Sequence, residues 1–504
     1  MNFSDLPADL AGRLIPKPAG KMAYRCLSCD AVHGIGELLY TCPRCGGVLL
    51  LEDAAFGDLK RTPSEMWRRI FDYRRLLNVP ALKGIYRFHE LLGPVIPLDS
   101  VVYLGEGGTP LVEAAQVLQE EAGIRFLYKN DGQNPSASFK DRGMASAVSY
   151  INFLIRSGRA GEILAVCAST GDTSASAALY ASYLHPKVKS AVLLPHGKVT
   201  PEQLSQPLGS GARVFEIPGV FDDCMKVVER LAETYEVALL NSKNAWRILG
   251  QESYSYEIAQ DFDWNVQDLA VFVPIGNAGN ITAVMAGFLK LHDLGVIETL
   301  PKIVGVQSHH ADPVFRYYEE PDPSLRRFVP VTVKPSAAQA AMIGNPVSMP
   351  RVIRLAEIYD ERSGGRNVFV VRVTEQGIMD GMLSVNRRGH VACTQGGECY
   401  AGMRAALREG VVSDKDTAIL DATAHAIKFS AFQNMYFSDS FPPEFGVAAK
   451  PELKNHPCLV RPDDLALVPA PGKPLSGDAL LEFIAKTSRD VAGALGLNPR
   501  KPAA

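Results

Sequence analysis

The segment L-A-V-C-A-S-T-G-D-T-S-A-S-A-A-L-Y, residues 164–180, changes character twice along its length. Residues 164–169 are a short apolar run of strand length, residues around Gly171 are small and polar, and a helical pattern follows over 174–184. The unit is therefore strand, glycine turn, helix. Working outward, further strand-sized runs stand at 190–195, 212–217, 237–241, 270–275, 302–307 and 368–373. Helical patterns such as 221–235 separate them. Nearly continuous apolar strands that alternate with helices imply parallel sheets covered on both faces. The fold class expected is α/β, with parallel-rich twisted sheets flanked by helices.

Composition agrees with a large globular protein. The chain has 504 residues, 47% hydrophobic, with 52 Lys+Arg against 55 Asp+Glu and a net charge of −3. That length suggests two to four domains at roughly 150 residues each. The charge balance lacks the basic footprint of a nucleic-acid binder, and no apolar stretch approaches the ~18 residues of a membrane span. The opening M-N-F-S-D-L-P-A-D-L has no apolar signal core, so a cytoplasmic protein with free thiols is expected. Five cysteines (Cys167, Cys224, Cys393, Cys399, Cys458) are scattered singly. The other four, Cys26, Cys29, Cys42 and Cys45, form two C-x-x-C knuckles suited to one tetrahedral zinc ion. Four thiolates leave zinc no open position, so such a site is read as structural.

The expected domains are an amino-terminal segment 1–55 with the zinc-ribbon-like cysteine pairs and a helical connector 56–100. A catalytic region 101–430 follows, in two α/β subdomains with the smaller near 140–250, and then a carboxy-terminal extension 431–504. In the connector, Trp67–Leu77 reads as an amphipathic helix packing on the next domain. Residues 480–496 read as another amphipathic helix.

Four segments concentrate chemistry at strand ends, where open α/β sheets bind ligands. They are N-P-S-A-S-F-K-D-R-G (134–143), A-S-T-G-D-T-S-A-S (168–176), V-P-I-G-N-A-G-N-I-T (273–282) and D-A-T-A-H-A-I-K-F (421–429). The first alone could be a capped helix with a salt-bridged first turn. The second and third offer amides and hydroxyls at helix N-termini, which suit a carboxylate or a phosphate. Together, a lysine, two anion-binding turns and a hydroxyl at a late strand end are what pyridoxal phosphate requires.

With L-G-E-G-G-T-P-L (104–111), N-S-K-N-A-W-R-I-L-G-Q (241–251) and I-G-N-P-V-S (343–348) added, the chain over about 100–430 resembles threonine synthases. These are pyridoxal-phosphate enzymes of fold type II, similar to tryptophan synthase β subunit and threonine dehydratase. The resemblance implies that Lys140 forms the Schiff base, preceded by Phe139. It further implies that Asp172 stands where an asparagine usually meets the cofactor's phenolic oxygen, and that Thr423 meets the pyridine nitrogen. Gly276, Asn277, Ala278, Gly279 and Asn280 would hold the cofactor phosphate. Ser169, Thr170 and Gly171 would hold substrate, with Asn241, Ser242, Asn244, Arg247, Thr173 and Lys129 gripping the phosphate of O-phosphohomoserine. The implied reaction is O-phosphohomoserine plus water giving threonine and phosphate.

Alternatives stay open at this point. A dehydratase needs no phosphate grip, whereas an O-phosphoserine-dependent lyase or β-replacement enzyme keeps one, placed one carbon closer. A non-catalytic partner-binding scaffold has little reason to keep Lys140 with both turns. His309 and His310 replace residues expected at the substrate mouth; two solvated loop histidines are the simpler reading. The partner expected is a small-molecule substrate, with no nucleic acid and no membrane. Relatives are commonly homodimers, and no sequence feature establishes one here.

Overall fold

Strands apolar on both faces need cover on both sides, and the chain builds two sheets that supply it. A computed structural model describes residues 7–169, 171–196, 201–219, 221–235, 237–470 and 472–500. The chain divides into two compact units, Met1–Ala449 and Lys450–Ala504.

Within the first unit, β1 (Met22–Cys26), β2 (Val32–Gly34) and β3 (Leu49–Asp53) form an antiparallel ribbon in the order β2-β1-β3. Strands β4 (Leu111–Glu113) and β5 (Arg125–Lys129) open the larger sheet. The chain then leaves it for β6 (Ile163–Ala168), β7 (Val188–Pro195), β8 (Arg213–Ile217) and β9 (Val237–Leu239). These four make a wholly parallel sheet, β8-β7-β6-β9. The chain returns with β10 (Leu269–Pro274), β11 (Lys302–Ser308), β12 (Val368–Val373) and β13 (Thr417–Asp421). The larger sheet reads β12-β11-β10-β13-β5-β4, parallel except for the edge strand β4. Val271 of β10 pairs with Ile303 on one side and Ile419 on the other, so strand order reverses at β10–β13. That crevice is where an open α/β sheet receives a ligand.

The expected strands all form, with ends shifted by a residue or two. β9 is the exception in length, because Leu240 and Asn241 leave the sheet to start the loop that carries Asn241–Asn244. The connector helix runs Ser64–Leu76 and packs as expected: Phe71 meets Phe88 at 5.1 Å and Trp264 at 6.0 Å between ring centroids. The helix Ser430–Phe437 belongs to the first unit, where Tyr436 donates to Asp380 at 2.8 Å. In the second unit the amphipathic helix spans Gly477–Ala494, and Lys486 pairs there with Glu482 and Asp464. Among the described residues no helix is long and apolar enough to cross a membrane.

Candidate active site

Lys140 is the first residue of the helix Lys140–Arg156, and the end of β13 fixes its place. Gly132 N–H donates to Ala422 O (3.1 Å), Phe139 N–H to Thr423 O (2.8 Å) and His425 N–H to Ala137 O (3.1 Å). Ala137 adopts φ 61°, a left-handed conformation that a Cβ disfavours and that the surrounding bonds must enforce. The first helical turn is ion-paired, through Arg142, but it has no side-chain cap, and Asp141 instead ties it to the preceding loop. The Asp141 carboxylate accepts from Ser136 N–H (2.6 Å), Ser136 Oγ (2.7 Å) and Ser176, which ties this loop to the helix Asp172–Tyr183. Burial pushes the Asp141 carboxyl up to about 6. Arg142 pairs with Asp131 at 2.7 Å and Glu257 at 2.8 Å.

Lys140 takes no part in that scaffold. Its amine lies 4.2 Å from the centre of the Phe139 ring and, among the described residues, makes no hydrogen bond or ion pair. Burial, and then the nearby Arg247 guanidinium, lower its pKa to about 7. An amine so placed is substantially neutral, hence nucleophilic, near neutral pH.

Two glycines bring Arg247 to it. The helix Ala245–Gln251 crosses the Lys140 helix where a Cβ on Gly250 would sit 2.2 Å from Arg142 O, and one on Gly143 2.9 Å from Arg247 O. Both neighbours are backbone, so no side chain fits and the helices touch. Arg247 is buried; one terminal nitrogen donates to Leu240 O at 2.9 Å, while its Nε has no partner. Burial lowers its pKa to about 10. A buried guanidinium lacking a carboxylate is a site prepared for an anion.

The other expected phosphate ligands behave differently. Asn241 bonds both the N–H and the O of Ala168, at 3.1 and 2.7 Å. Asn244 caps the Arg247 helix by accepting from Trp246 N–H (2.9 Å) and donates to Leu239 O (3.0 Å). Their side chains shape the loop instead of reaching for a ligand. Lys129 is not brought to the site as a free cation: it is buried between Asp261 (2.8 Å) and Glu257 (3.3 Å), which consume its charge. Ser242 is half-buried beside these residues in the chain. A surface hollow of about 620 Å³ lined by Arg75, Arg125 and Asp261 includes none of Lys140, Asp172 and Arg247.

Opposite Lys140, Ser169 Oγ accepts from Gly171 N–H at 3.2 Å, and Asp172 and Thr173 begin the next helix. Thr170 lies outside the described residues. Asp172 is buried and pairs with Lys428 Nζ at 2.6 Å; that amine also donates to Ser136 O at 3.0 Å. Lys428 sits in the 421–429 motif, yet its partner could be found only once two distant segments met. Breaking a buried pair leaves an uncompensated charge. Lys428→Met is therefore expected to lose about 3 kcal/mol of stability in denaturant unfolding, most of it restored by adding Asp172→Asn. Additive losses in the double variant would show that the pair is not coupled.

Gly276–Asn280 form the turn between β10 and the helix Gly279–Asp293. Ala278 there has φ 62°, a second left-handed alanine. A Cβ on Gly276 would stand 3.0 Å from Ala341 Cα, so the turn is walled by backbone. The Asn280 side chain donates to Asp421 at 2.7 Å, which leaves the helix N-terminus itself as the anion ligand. Thr423 stands beside Cys393, its Oγ1 3.5 Å from the sulfur. A neutral lysine, a turn at a helix N-terminus, a buried hydroxyl and a guanidinium without a carboxylate partner fit pyridoxal phosphate and an anionic substrate.

Residues 102–420 match the model of the pyridoxal-phosphate dependent enzyme family. A threonine synthase of Methanocaldococcus jannaschii is 36% identical over 81% of this chain and 93% of its own. Chloroplastic threonine synthase 2 of Arabidopsis thaliana is 32% identical over 88% and 83%. The chain belongs to the threonine synthase branch of that family. Solved threonine synthases of Escherichia coli (TM-score 0.60, 18% identity, 85% of this chain and 92% of that one) and Brucella melitensis (0.60, 21%, 81% and 89%) share the fold.

Cys26, Cys29, Cys42 and Cys45 bring their sulfurs within 4.8 Å of one another, with Cys26–Cys45 at 3.4 Å and Cys29–Cys42 at 3.7 Å. Zinc–sulfur bonds of about 2.3 Å set tetrahedral sulfurs about 3.8 Å apart, so the donor set fits that ion. His33 Nε2 lies 3.3 Å from Cys42 Sγ, an outer contact that the cysteine spacing did not reveal. His310 is held in its loop by Pro335 O at 2.6 Å, and His309 is exposed.

Proposed function

We propose that the site converts O-phosphohomoserine and water to threonine and phosphate. The observation that carries this reading is Arg247, a buried guanidinium with no carboxylate, set beside the Lys140 amine. With the turn at residues 169–173 suited to the substrate carboxylate, such a charge is accounted for by a second anionic group on the substrate, because burying it unpaired costs stability.

Pyridoxal phosphate, when bound, supplies the electron sink that spreads the charge left on the substrate's Cα. The chain's residues do the rest. Lys140 carries the cofactor and, once released, is the base positioned for the Cα proton. Its lowered pKa keeps the amine able to accept that proton near neutral pH. Loss of a Cβ proton then expels phosphate from Cγ, and Arg247 holds the departing dianion. Cγ takes up a proton, water adds at Cβ and Lys140 returns a proton to Cα, which completes threonine. Thr423 offers a neutral hydroxyl to the pyridine nitrogen and so leaves it unprotonated. Ser169, Gly171 and Thr173 surround a helix N-terminus suited to the substrate carboxylate.

The test is turnover of O-phosphohomoserine against O-phosphoserine, with phosphate and amino-acid product followed together. Threonine and phosphate in equal amounts from the first compound alone are expected. Turnover of O-phosphoserine in its place would move the assignment to β-replacement chemistry.

The cysteine ribbon is assigned a structural zinc ion. Metal analysis is expected to find about one zinc per chain, lost in Cys29→Ser while the cofactor is retained. Zinc retained at full occupancy in that variant would refute the ligand set.

A further inference from the structure

We propose that Arg351 is a positioning residue that holds the substrate-phosphate loop 241–247 and the cofactor-phosphate turn 276–280 in register, anchored on the cysteine ribbon. This rests on the assignment of Arg247 to the substrate phosphate. Arg351 stands three residues after Ser348, the last residue of the I-G-N-P-V-S motif, on the helix Met349–Arg362, and is fully buried.

Its guanidinium joins three parts of the chain that are far apart in sequence. Nε and one terminal nitrogen donate to Leu49 O on β3, at 3.1 and 2.7 Å. Ser242 O and Lys243 O each accept at 3.1 Å, so the loop entering the Arg247 helix is gripped by its backbone. Ser348 Oγ accepts at 2.9 Å. Ser348 in turn donates its N–H to Asn277 O at 3.1 Å, inside the cofactor-phosphate turn. One side chain thus fixes both phosphate-binding segments against a common anchor. The ribbon holds the Arg247 helix a second time, where Trp246 Nε1 donates to Tyr24 Oη at 3.0 Å and its ring stacks on Tyr150 at 4.0 Å.

None of the Arg351 partners is a carboxylate, and burial lowers its pKa to about 10. A charge buried at such a cost is explained by geometry: only a planar fork with several donors can span three backbone segments at once. Lysine carries its three donors on a single nitrogen and lacks the spread of the fork. Arg74 supplies the contrast. It is equally buried, but it pairs with Glu90 at 2.6 Å and its other partners are Arg13, Leu14 and Arg87.

The experiment uses full-length holoenzyme carrying Arg351→Met, Arg351→Lys or Arg74→Met. Melting temperature, cofactor per chain, kcat and KM for O-phosphohomoserine are measured, with the Kd of inorganic phosphate read from cofactor absorbance. Arg351→Met is expected to raise KM and phosphate Kd by about tenfold, with kcat changed by less than about threefold and the cofactor retained. Arg351→Lys is expected to fall between Arg351→Met and wild type. Arg74→Met should lower the melting temperature and leave KM unchanged. A folded Arg351→Met with unchanged KM and phosphate Kd overturns the proposal, as does an equal rise in KM for Arg74→Met. If Arg351→Met does not fold, Arg351→Lys is judged by the same criterion. If wild-type protein does not turn over O-phosphohomoserine, the functional reading fails, and the phosphate Kd still decides the role of Arg351.

Discussion

Lys140→Ala protein is expected to fold, to bind pyridoxal phosphate only reversibly, and to form threonine about 10⁴-fold more slowly than wild type. The reason is that Lys140 alone combines three conditions at the crevice. It opens a helix beside the end of β13, its amine is uncommitted to any ion pair, and burial together with Arg247 lowers its pKa to about 7. Asp141 and Arg142 next to it are fully engaged, so the helix start should survive the loss of the lysine. The size reflects loss of a positioned base, at the upper end of what one such group contributes.

The sign with pH follows from the same shift. Since the amine's pKa is lowered, its reactive neutral form grows as pH rises through about 7, instead of near the usual lysine value. The rate at which apoprotein takes up the cofactor should therefore rise through pH 7 and level off above it. A rate still climbing at pH 9 would show that Lys140 is not desolvated as described. Retention of the lysine-linked cofactor absorbance in Lys140→Ala would place the attachment elsewhere.

Arg247→Met should have the second largest effect. KM for O-phosphohomoserine is expected to rise about 100-fold, equivalent to about 3 kcal/mol of lost binding, because truncating one partner of a buried charged contact costs ~2–5 kcal/mol. In the free protein the opposite holds. Arg247 is buried, lacks a carboxylate and leaves Nε without a partner. Replacing it by an apolar chain of similar length removes an uncompensated charge, so the melting temperature should stay level or rise. A variant that loses substrate affinity while keeping its stability marks a binding residue. Arg247→Lys keeps the charge and loses the fork, and a KM like that of wild type would rule out bidentate phosphate binding.

Much of this was legible in the chain. Apolar runs at 164–169, 270–275 and 302–307 are strand-sized and alternate with helical patterns, so the α/β class and the order of elements follow from hydrophobic patterning. The two C-x-x-C pairs announce a four-sulfur cluster, and the structure gathers it within 4.8 Å. Lys140 and Gly276–Asn280 stand at helix starts that the local sequence marks, although the end of β13 fixes where Lys140 lies.

Tertiary structure decided which polar groups remain available. Lys129, Asn241 and Asn244 read as phosphate ligands from their motifs. Lys129 is neutralised by Asp261 and Glu257, and the two asparagines are spent on Ala168, Leu239 and Trp246. Arg247, in the same motif as the asparagines, has no acid paired with it among the described residues, and its Nε is left without a partner there. Asp172 meets Lys428, and Arg351 meets Leu49, across hundreds of residues. A motif states which residue types stand together along the chain. Whether a given charge is spent on a neighbour or left for a ligand depends on which distant backbone folds against it, and only packing settles that.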